Sequence, residues 1–255
     1  MKRIFSILIV VSLFCFMGCQ KSTVVITSAA DLDGKKIGVQ SGTTGELYVQ
    51  ENCPNAKLNS FKTGMDAALD LMNGAIDAVV LDELPAKEIV ARNPSLTIVD
   101  TDLATEAYAI AVKKGNTVLL KSINKTIETM AANGEYEKLV NAFMPIDGKI
   151  VIPQAVVTES SKVVKLGTNA AFPPFEYVEG KDIVGFDITM GQNIAKDLGV
   201  KLEVVDMAFD SLIPALASGA IDFIAAGMSV TEERKKNVDF SLPYYQSKQV
   251  IIVKK

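Results

Sequence analysis

The sequence predicts a parallel α/β protein made of two similar units that face each other across a cleft. Three observations carry this. The body alternates short β-branched runs with amphipathic helical stretches, the pattern of helices laid on a parallel sheet. Two segments repeat one another: Gly74-Ala75-Ile76-Asp77-Ala78-Val79-Val80 is echoed by Gly219-Ala220-Ile221-Asp222-Phe223-Ile224-Ala225. A third segment, Lys36 to Gly45, reads as a strand running into a turn of small residues ahead of a helix.

The N-terminus reads as a targeting segment. Lys2 and Arg3 precede a nearly unbroken apolar run from Ile4 to Met17, too short for a membrane span of about 20 residues and suited to a signal segment. The run ends in Phe16-Met17-Gly18-Cys19, which resembles a bacterial lipobox and marks Cys19 as a lipidation site. Residues 1–19 are therefore expected to be a lipoprotein signal peptide. Cys53 alone among the cysteines lies beyond this leader, so no internal disulfide forms, and Asn52-Cys53-Pro54-Asn55 reads as a loop.

The formal net charge of −4 offers no basic face for nucleic acid. The chain has no histidine, which removes the Ser-His-Asp and Cys-His mechanisms together with the commonest zinc ligand. No cofactor or metal is indicated.

Lys36 to Gln40 reads as a strand, Ser41-Gly42-Thr43-Thr44-Gly45 as the turn, and a helix is expected from about Glu46. Small residues there expose backbone N–H groups and a helix N-terminus, a setting suited to a carboxylate. No Gly-Lys-Ser/Thr follows, so the turn is not a phosphate-binding loop. Each half of the echo follows apolar residues at helical spacing, Met65 to Met72 and Leu212 to Leu216. The glycine fits a helix C-cap, and the apolar run after the aspartate fits a buried strand.

Ligands of open α/β sheets gather beyond the C-terminal ends of the strands. Those ends are Leu81-Asp82-Glu83 in one unit and Ala226-Gly227-Met228-Ser229 in the other. Across a cleft, Asp82 would oppose Gly227 and Ser229, in a loop leading to Arg234. That pairing suits a zwitterion, with its carboxylate on Arg234 and its ammonium on Asp82.

The segments Gly167 to Tyr177, Val184 to Ile188, Ala225 to Arg234 and Val238 to Tyr245, together with Asp31 to Thr43, resemble the amino-acid-binding solute-binding proteins of ABC importers, the bacterial extracellular family 3. The resemblance implies a two-lobe, periplasmic-binding-protein-like type II fold with a hinge and an interlobe cleft. The order of the segments differs from the family's, so the chain looks circularly permuted, cut at one of the two strands that link the lobes. On this reading 24–105 form the small lobe and 106–117 a hinge crossover. Residues 118–144 are helices packing on the large lobe, 145–161 a permutation linker, 162–246 the large lobe and 247–255 a terminal hinge strand. With one covalent crossover the hinge is expected to be looser than in unpermuted relatives.

The resemblance also implies roles. Arg234 grips the ligand α-carboxylate with the N–H groups of Ser229 and Thr44 beside it. Asp82, the Gly227 carbonyl and the Ser229 hydroxyl hold the α-ammonium. Phe172 and Phe209 sandwich the side chain, Asn169 touches its far end, and Thr43 and Gln40 complete the wall. Glu176 and Asp187 fit the family pattern as structural residues. The neutral amides of Asn169 and Gln40 set no decisive charge, whereas two phenylalanines suit a guanidinium or alkyl-ammonium. Arginine or lysine is favoured over glutamine or another neutral amino acid.

The expected partners are a free L-amino acid and a membrane permease, with the membrane touched only through the anchor and the protein a monomer at the outer face or in the periplasm. A sensory surface lipoprotein of the same fold is the alternative. An enzyme would have to work with carboxylates such as Glu176 or Asp82, and nothing in the sequence places two carboxylates together.

Overall fold

The computed structural model describes residues 25–146 and 148–255. The leader with Cys19 lies outside the described residues. Among them, no helix is long and apolar enough to cross a membrane.

The first half of the chain builds one sheet with its helices. In order come β1 (Lys36–Gln40), α1 (Thr44–Asn52), β2 (Lys57–Phe61), α2 (Gly64–Asn73), β3 (Ala78–Asp82), α3 (Glu83–Arg92) and the long β4 (Leu96–Tyr108). The second half begins with β5 (Ala111–Lys113), α4 (Thr117–Asn133) and α5 (Glu135–Phe143). It continues with β6 (Val163–Thr168), β7 (Ala171–Phe172), β8 (Glu176–Glu179), β9 (Asp182–Val184), α6 (Phe186–Leu198) and β10 (Lys201–Asp206). After a 3-10 turn at Phe209–Ser211 come α7 (Leu212–Ser218), β11 (Phe223–Ile224), α8 (Glu232–Lys235), β12 (Val238–Phe240) and β13 (Tyr245–Lys254).

Two five-stranded sheets result. The first has the order β2-β1-β3-β13-β4 and the second β10-β6-β11-β5-β12, with a small antiparallel β7-β8-β9 sheet beside the second. The predicted parallel pairing holds for β1 with β2 and β3, and for β6 with β10 and β11. The sheets are mixed because β13 runs antiparallel between β3 and β4, and β5 antiparallel between β11 and β12.

The internal echo has a packing cause. Gly74 and Gly219 close α2 and α7 in the left-handed conformation, at φ 73° and 80°, where a side chain would be strained. The isoleucine that follows in each copy lies over a glycine of the neighbouring strand. A Cβ on Gly38 would sit 2.5 Å from Ile76, and one on Gly167 would sit 2.2 Å from Ile221. The aspartates then hold those strands by a backbone N–H, Asp77 at the first residue of β1 and Asp222 at the third of β6. Asp77 accepts from the Lys36 N–H at 2.9 Å, and Asp222 from the Lys165 N–H at 2.7 Å. The strand predicted after Asp222 is short, two residues in β11, where the chain turns off towards Ala226 and Gly227.

Two details of the first unit differ from expectation. The helix predicted from about Glu46 begins at Thr44, because the Thr43 hydroxyl caps it by accepting from the Glu46 N–H at 3.4 Å. Cys53 does follow the helix as loop chain, but it is buried, and burial raises its thiol pKa.

The strands β4 and β13 pair along their whole lengths, from Leu96 opposite Lys254 to Tyr108 opposite Tyr245. Both run out of the first sheet to the edge of the second. There the Ala109 N–H donates to the Met228 carbonyl at 3.0 Å, and the Tyr244 N–H to the Tyr108 carbonyl at 2.9 Å. This double connection puts the C-terminal ends of β3 and β11 opposite each other. Helices α4 and α5 cover α6: the Thr126 hydroxyl donates to Asp197 at 2.7 Å, and Tyr136 meets Phe186 edge to face at 5.8 Å. From 144 to 162 the described residues form neither helix nor strand, and Ile146, Val151 and Val157 are exposed.

Candidate functional site

The two sheets meet at a narrow cavity. It is lined by Gln40, Thr43, Thr44 and Asp82 from the first sheet's side, and by Asn169, Phe172, Glu176, Phe209, Ala226, Gly227, Ser229 and Arg234 from the second's. The space between these walls that is not filled by atoms amounts to about 290 Å³, a narrow slot between the two sides. All ten residues singled out from sequence for this wall line it; Glu176 and Ala226 line it as well and were not among them.

Arg234 is set by the short helix α8, whose N-cap Thr231 accepts from the Arg234 N–H at 3.1 Å. Although it stands among the charged residues Glu232, Glu233, Lys235 and Lys236, Arg234 is only 8% exposed. Its guanidinium donates to the Ser229 carbonyl at 2.7 Å and, across the cleft, to the Gly42 carbonyl at 2.9 Å. It lies 5.3 Å from the centre of the Phe209 ring. Burial lowers its pKa, while the charges of Glu106 and Asp82 oppose that shift.

Asp82 ends β3 and stands before α3, but its side chain makes no capping bond. Instead it accepts from the Tyr108 hydroxyl, which also lies 3.1 Å from the Ser247 hydroxyl. Burial pushes the Asp82 carboxyl up to about 7, helped by the charge of Glu106 and resisted by hydrogen bonds from Tyr108 and Gln249. Glu106, which the sequence reading left out, also accepts from the Ser229 hydroxyl. The Ser229 hydroxyl expected to face an ammonium is therefore directed at this carboxylate.

The far wall is amide and aromatic. Gln40 donates to the Asn169 side chain at 2.8 Å across the cleft, and Asn169 donates to the Met207 carbonyl at 2.9 Å. Thr43, besides capping α1, donates its hydroxyl proton to the Gln40 carbonyl at 2.7 Å. Phe172 lies against Gly227, where an added Cβ would come within 2.7 Å of the ring, at a φ of +52° that favours glycine. The Gly227 N–H is held by Asp187 at 2.8 Å, and Asp187 also accepts from the Tyr244 hydroxyl at 2.6 Å.

The sequence alone places no two carboxylates together, but the fold brings Glu176 and Asp187 into a shared hydrogen bond. Glu176 and Asp187 are each 1% exposed and lie close enough to perturb each other. Burial, then the charge of Asp187, holds Glu176 well above the carboxylate range. Burial raises Asp187 to about 6, against its bonds from Tyr244 and Gly227. Asp187 shapes the wall, as the sequence implied. Glu176 does not stay behind the wall, because it lines the cavity. Among the described residues, no group of three or more acidic or cysteine side chains is arranged to hold a metal ion.

Residues 164–255 match the family model described as bacterial extracellular solute-binding proteins, family 3. Among curated relatives, the arginine-binding extracellular protein ArtP of Bacillus subtilis (strain 168) is 49% identical over 94 residues, covering 37% of each chain. The probable histidine-binding protein of Campylobacter jejuni is 44% identical over 89 residues, 35% of each. The chain thus spans little more than a third of the length of these relatives. The solved structure of holo ArgBP from T. maritima is 52% identical over 32% of this chain and 37% of its own, with a TM-score of 0.32. The matched stretch runs from β6 to β13 and contributes Asn169, Phe172, Glu176, Gly227, Ser229 and Arg234 to the cavity. Residues 164–255 are accordingly similar to the bacterial extracellular solute-binding proteins of family 3.

Proposed function

We propose that the protein is the substrate-binding component of an ABC amino-acid importer, closing its cleft on a free L-amino acid, with arginine or lysine favoured. The observation that carries this is a buried guanidinium and a buried carboxyl facing one slot from opposite sides: Arg234 from the second sheet's side and Asp82 from the first's. An α-amino acid supplies the complementary carboxylate and ammonium at a fixed separation. The Arg234 fork takes the carboxylate near the N–H groups of Ser229 and Thr44, and Asp82 with the Gly227 carbonyl takes the ammonium. Phe172 and Phe209 flank the side chain, with Asn169, Gln40 and Thr43 at the wall. Because the ligand touches both sides at once, it selects the closed arrangement.

The names of the relatives support a basic ligand, since ArtP is called arginine-binding and the Campylobacter protein histidine-binding. Glutamine is the second reading, favoured by the neutral Gln40–Asn169 pair at the far wall. The protein acts by binding rather than by catalysis. It is exported and tethered by lipid at Cys19, works as a monomer, and presents its closed form to a permease in the membrane. The chain is a circular permutant of its family; the confinement of the family match to 164–255, behind a strand–turn–helix unit at 36–52, supports this. The test is a thermal-shift screen of ligand-stripped protein against the common L-amino acids. A ligand at about 1,000 times its Kd adds about 4 kcal/mol of stability, so one class of amino acid should raise the melting temperature by several degrees. No shift with any of them rules the reading out.

A further inference from the structure

Gly227 lines the slot, and its N–H donates to the Asp187 carboxylate at 2.8 Å. The same carboxylate oxygen, Oδ2, accepts from the Tyr244 hydroxyl at 2.6 Å. Tyr244 stands between β12 and β13, where the chain passes from the second sheet to the first. Its own N–H is bonded to the Tyr108 carbonyl at the end of β4. One oxygen thus joins the cavity wall to both strands that run between the sheets. The fold delivers Asp187 to this place and favours its charge. It lies in the first turn of α6, and that turn is docked on the chain ahead of β8: Phe186 donates to the Pro174 carbonyl at 3.1 Å, and Asp187 to the Phe175 carbonyl at 2.9 Å. The positive end of the helix dipole stabilises an anion there.

We propose that Asp187 is a positioning residue for ligand capture: its carboxylate ties Gly227, whose carbonyl takes the ligand ammonium, to the interlobe crossing at Tyr244. This rests on the amino-acid reading of the slot. Asp187 touches no ligand itself, and acts through the two groups it holds. Its strength as a double acceptor comes from its charge, because hydrogen bonds to an ionised oxygen are about twice as strong as neutral ones. Glu176 of β8 supports that charge. Burial and the neighbouring Asp187 keep Glu176 protonated, so Glu176 is the donor of the hydrogen bond the two share. The other ionisable groups facing the pair are Asp82 of β3 and Asp206 of β10, towards Glu176, and Tyr136 of α5, towards Asp187. When Asp187 is itself protonated, Gly227 and Tyr244 lose the charged acceptor and the wall is held less firmly.

The experiment follows the Gly227 amide by NMR across pH in the ligand-stripped protein, and arginine affinity by calorimetry, for the unsubstituted chain, Asp187→Asn and Tyr244→Phe. The Gly227 amide is expected to titrate with a midpoint at about 6, the value of Asp187. In Asp187→Asn that titration disappears, and arginine binds about 10-fold more weakly at neutral pH, as exchange of a charged for a neutral acceptor predicts. Tyr244→Phe removes the largest of the bonds that hold the Asp187 pKa down, so the Gly227 midpoint moves up. Its arginine affinity, relative to the unsubstituted chain at the same pH, should be reduced near neutral pH and recover as pH rises. A purely structural part for Asp187 gives no such recovery. A Gly227 amide indifferent to pH, or an unchanged affinity in Asp187→Asn, overturns the proposal while leaving amino-acid capture standing. If Asp187→Asn does not fold, Tyr244→Phe decides, and a midpoint that stays in place overturns it. No binding of any common amino acid by the unsubstituted chain removes the functional reading and the proposal together.

Discussion

A guanidinium buried to 8% exposure has given up most of its water, and Arg234 regains only two of its five donors' worth of bonding from the Ser229 and Gly42 carbonyls. The remaining donors and its whole charge are what a carboxylate would answer. Arg234→Ala should weaken amino-acid binding by at least about 100-fold, and Arg234→Lys by nearly as much, because an ammonium lacks the planar fork; calorimetry on both variants checks this. The buried acids set a pH dependence whose sign follows from linkage. Asp82 at about 7 and Asp187 at about 6 hold protons in the fold that the unfolded chain releases near 4. Stability of the ligand-free protein should therefore fall as pH rises from about 4 through 7, by on the order of a few kcal/mol. Asp82→Asn should flatten that decline in thermal melts across pH; an unchanged slope would show that Asp82 is not the group responsible. At this scale the wall was largely legible, since Arg234, Asp82 and Phe172 sit at strand ends and in long motifs. Glu106 was not, because it lies within the long strand β4, and only the fold brings it to Ser229.

At the scale of elements, the echo proved to be a way of seating a strand. In both copies an isoleucine fills the space over a strand glycine, and an aspartate ties down a backbone N–H of that strand. Removing the clamp should cost about 1 kcal/mol, the net worth of a part-exposed hydrogen bond, in Asp77→Ala and in Asp222→Ala alike. Gly167→Ala should cost about 1–3 kcal/mol, since its methyl would meet Ile221 in a filled core. Chemical denaturation of the three variants checks both figures, and a neutral Gly167→Ala would show that the core yields more easily than its packing implies. The repeat was readable because a glycine and an aspartate at fixed spacing have local reasons to be there. The start of α1 at Thr44 was misjudged because Gly45 argues against a helix, while the Thr43 cap and a crowded site beside Gln249 demand one. The antiparallel β13 and β5 left no local mark, since a buried strand reads the same in either direction.

For the whole molecule, the paired strands β4 and β13 carry the chain between the sheets, β4 running on into β5 and β13 arriving directly from β12, so both crossings are covalent and the single crossover expected from the sequence is corrected. If the chain is a permutant, joining Lys255 to residue 25 through a flexible linker and reopening the chain within 145–161 should preserve fold and binding, because that segment carries no helix or strand. Circular dichroism and ligand titration of the rejoined chain check this; loss of the fold would contradict it. Because both crossings stay covalent, small-angle scattering should show equal changes on ligand binding in the two forms, and a larger change in the original form would contradict this.

The central claim is that both main-chain charges of an amino acid are read at once, by Arg234 and Asp82. The most direct test is calorimetry of the ligand-stripped protein with arginine and with agmatine, which keeps the ammonium-bearing chain and the guanidinium but lacks the carboxylate. The account predicts binding of arginine and at least about 100-fold weaker binding of agmatine, with the difference abolished by Arg234→Ala. Equal affinity for the two would show that the cavity does not recognise an amino acid by its carboxylate, and would contradict the account.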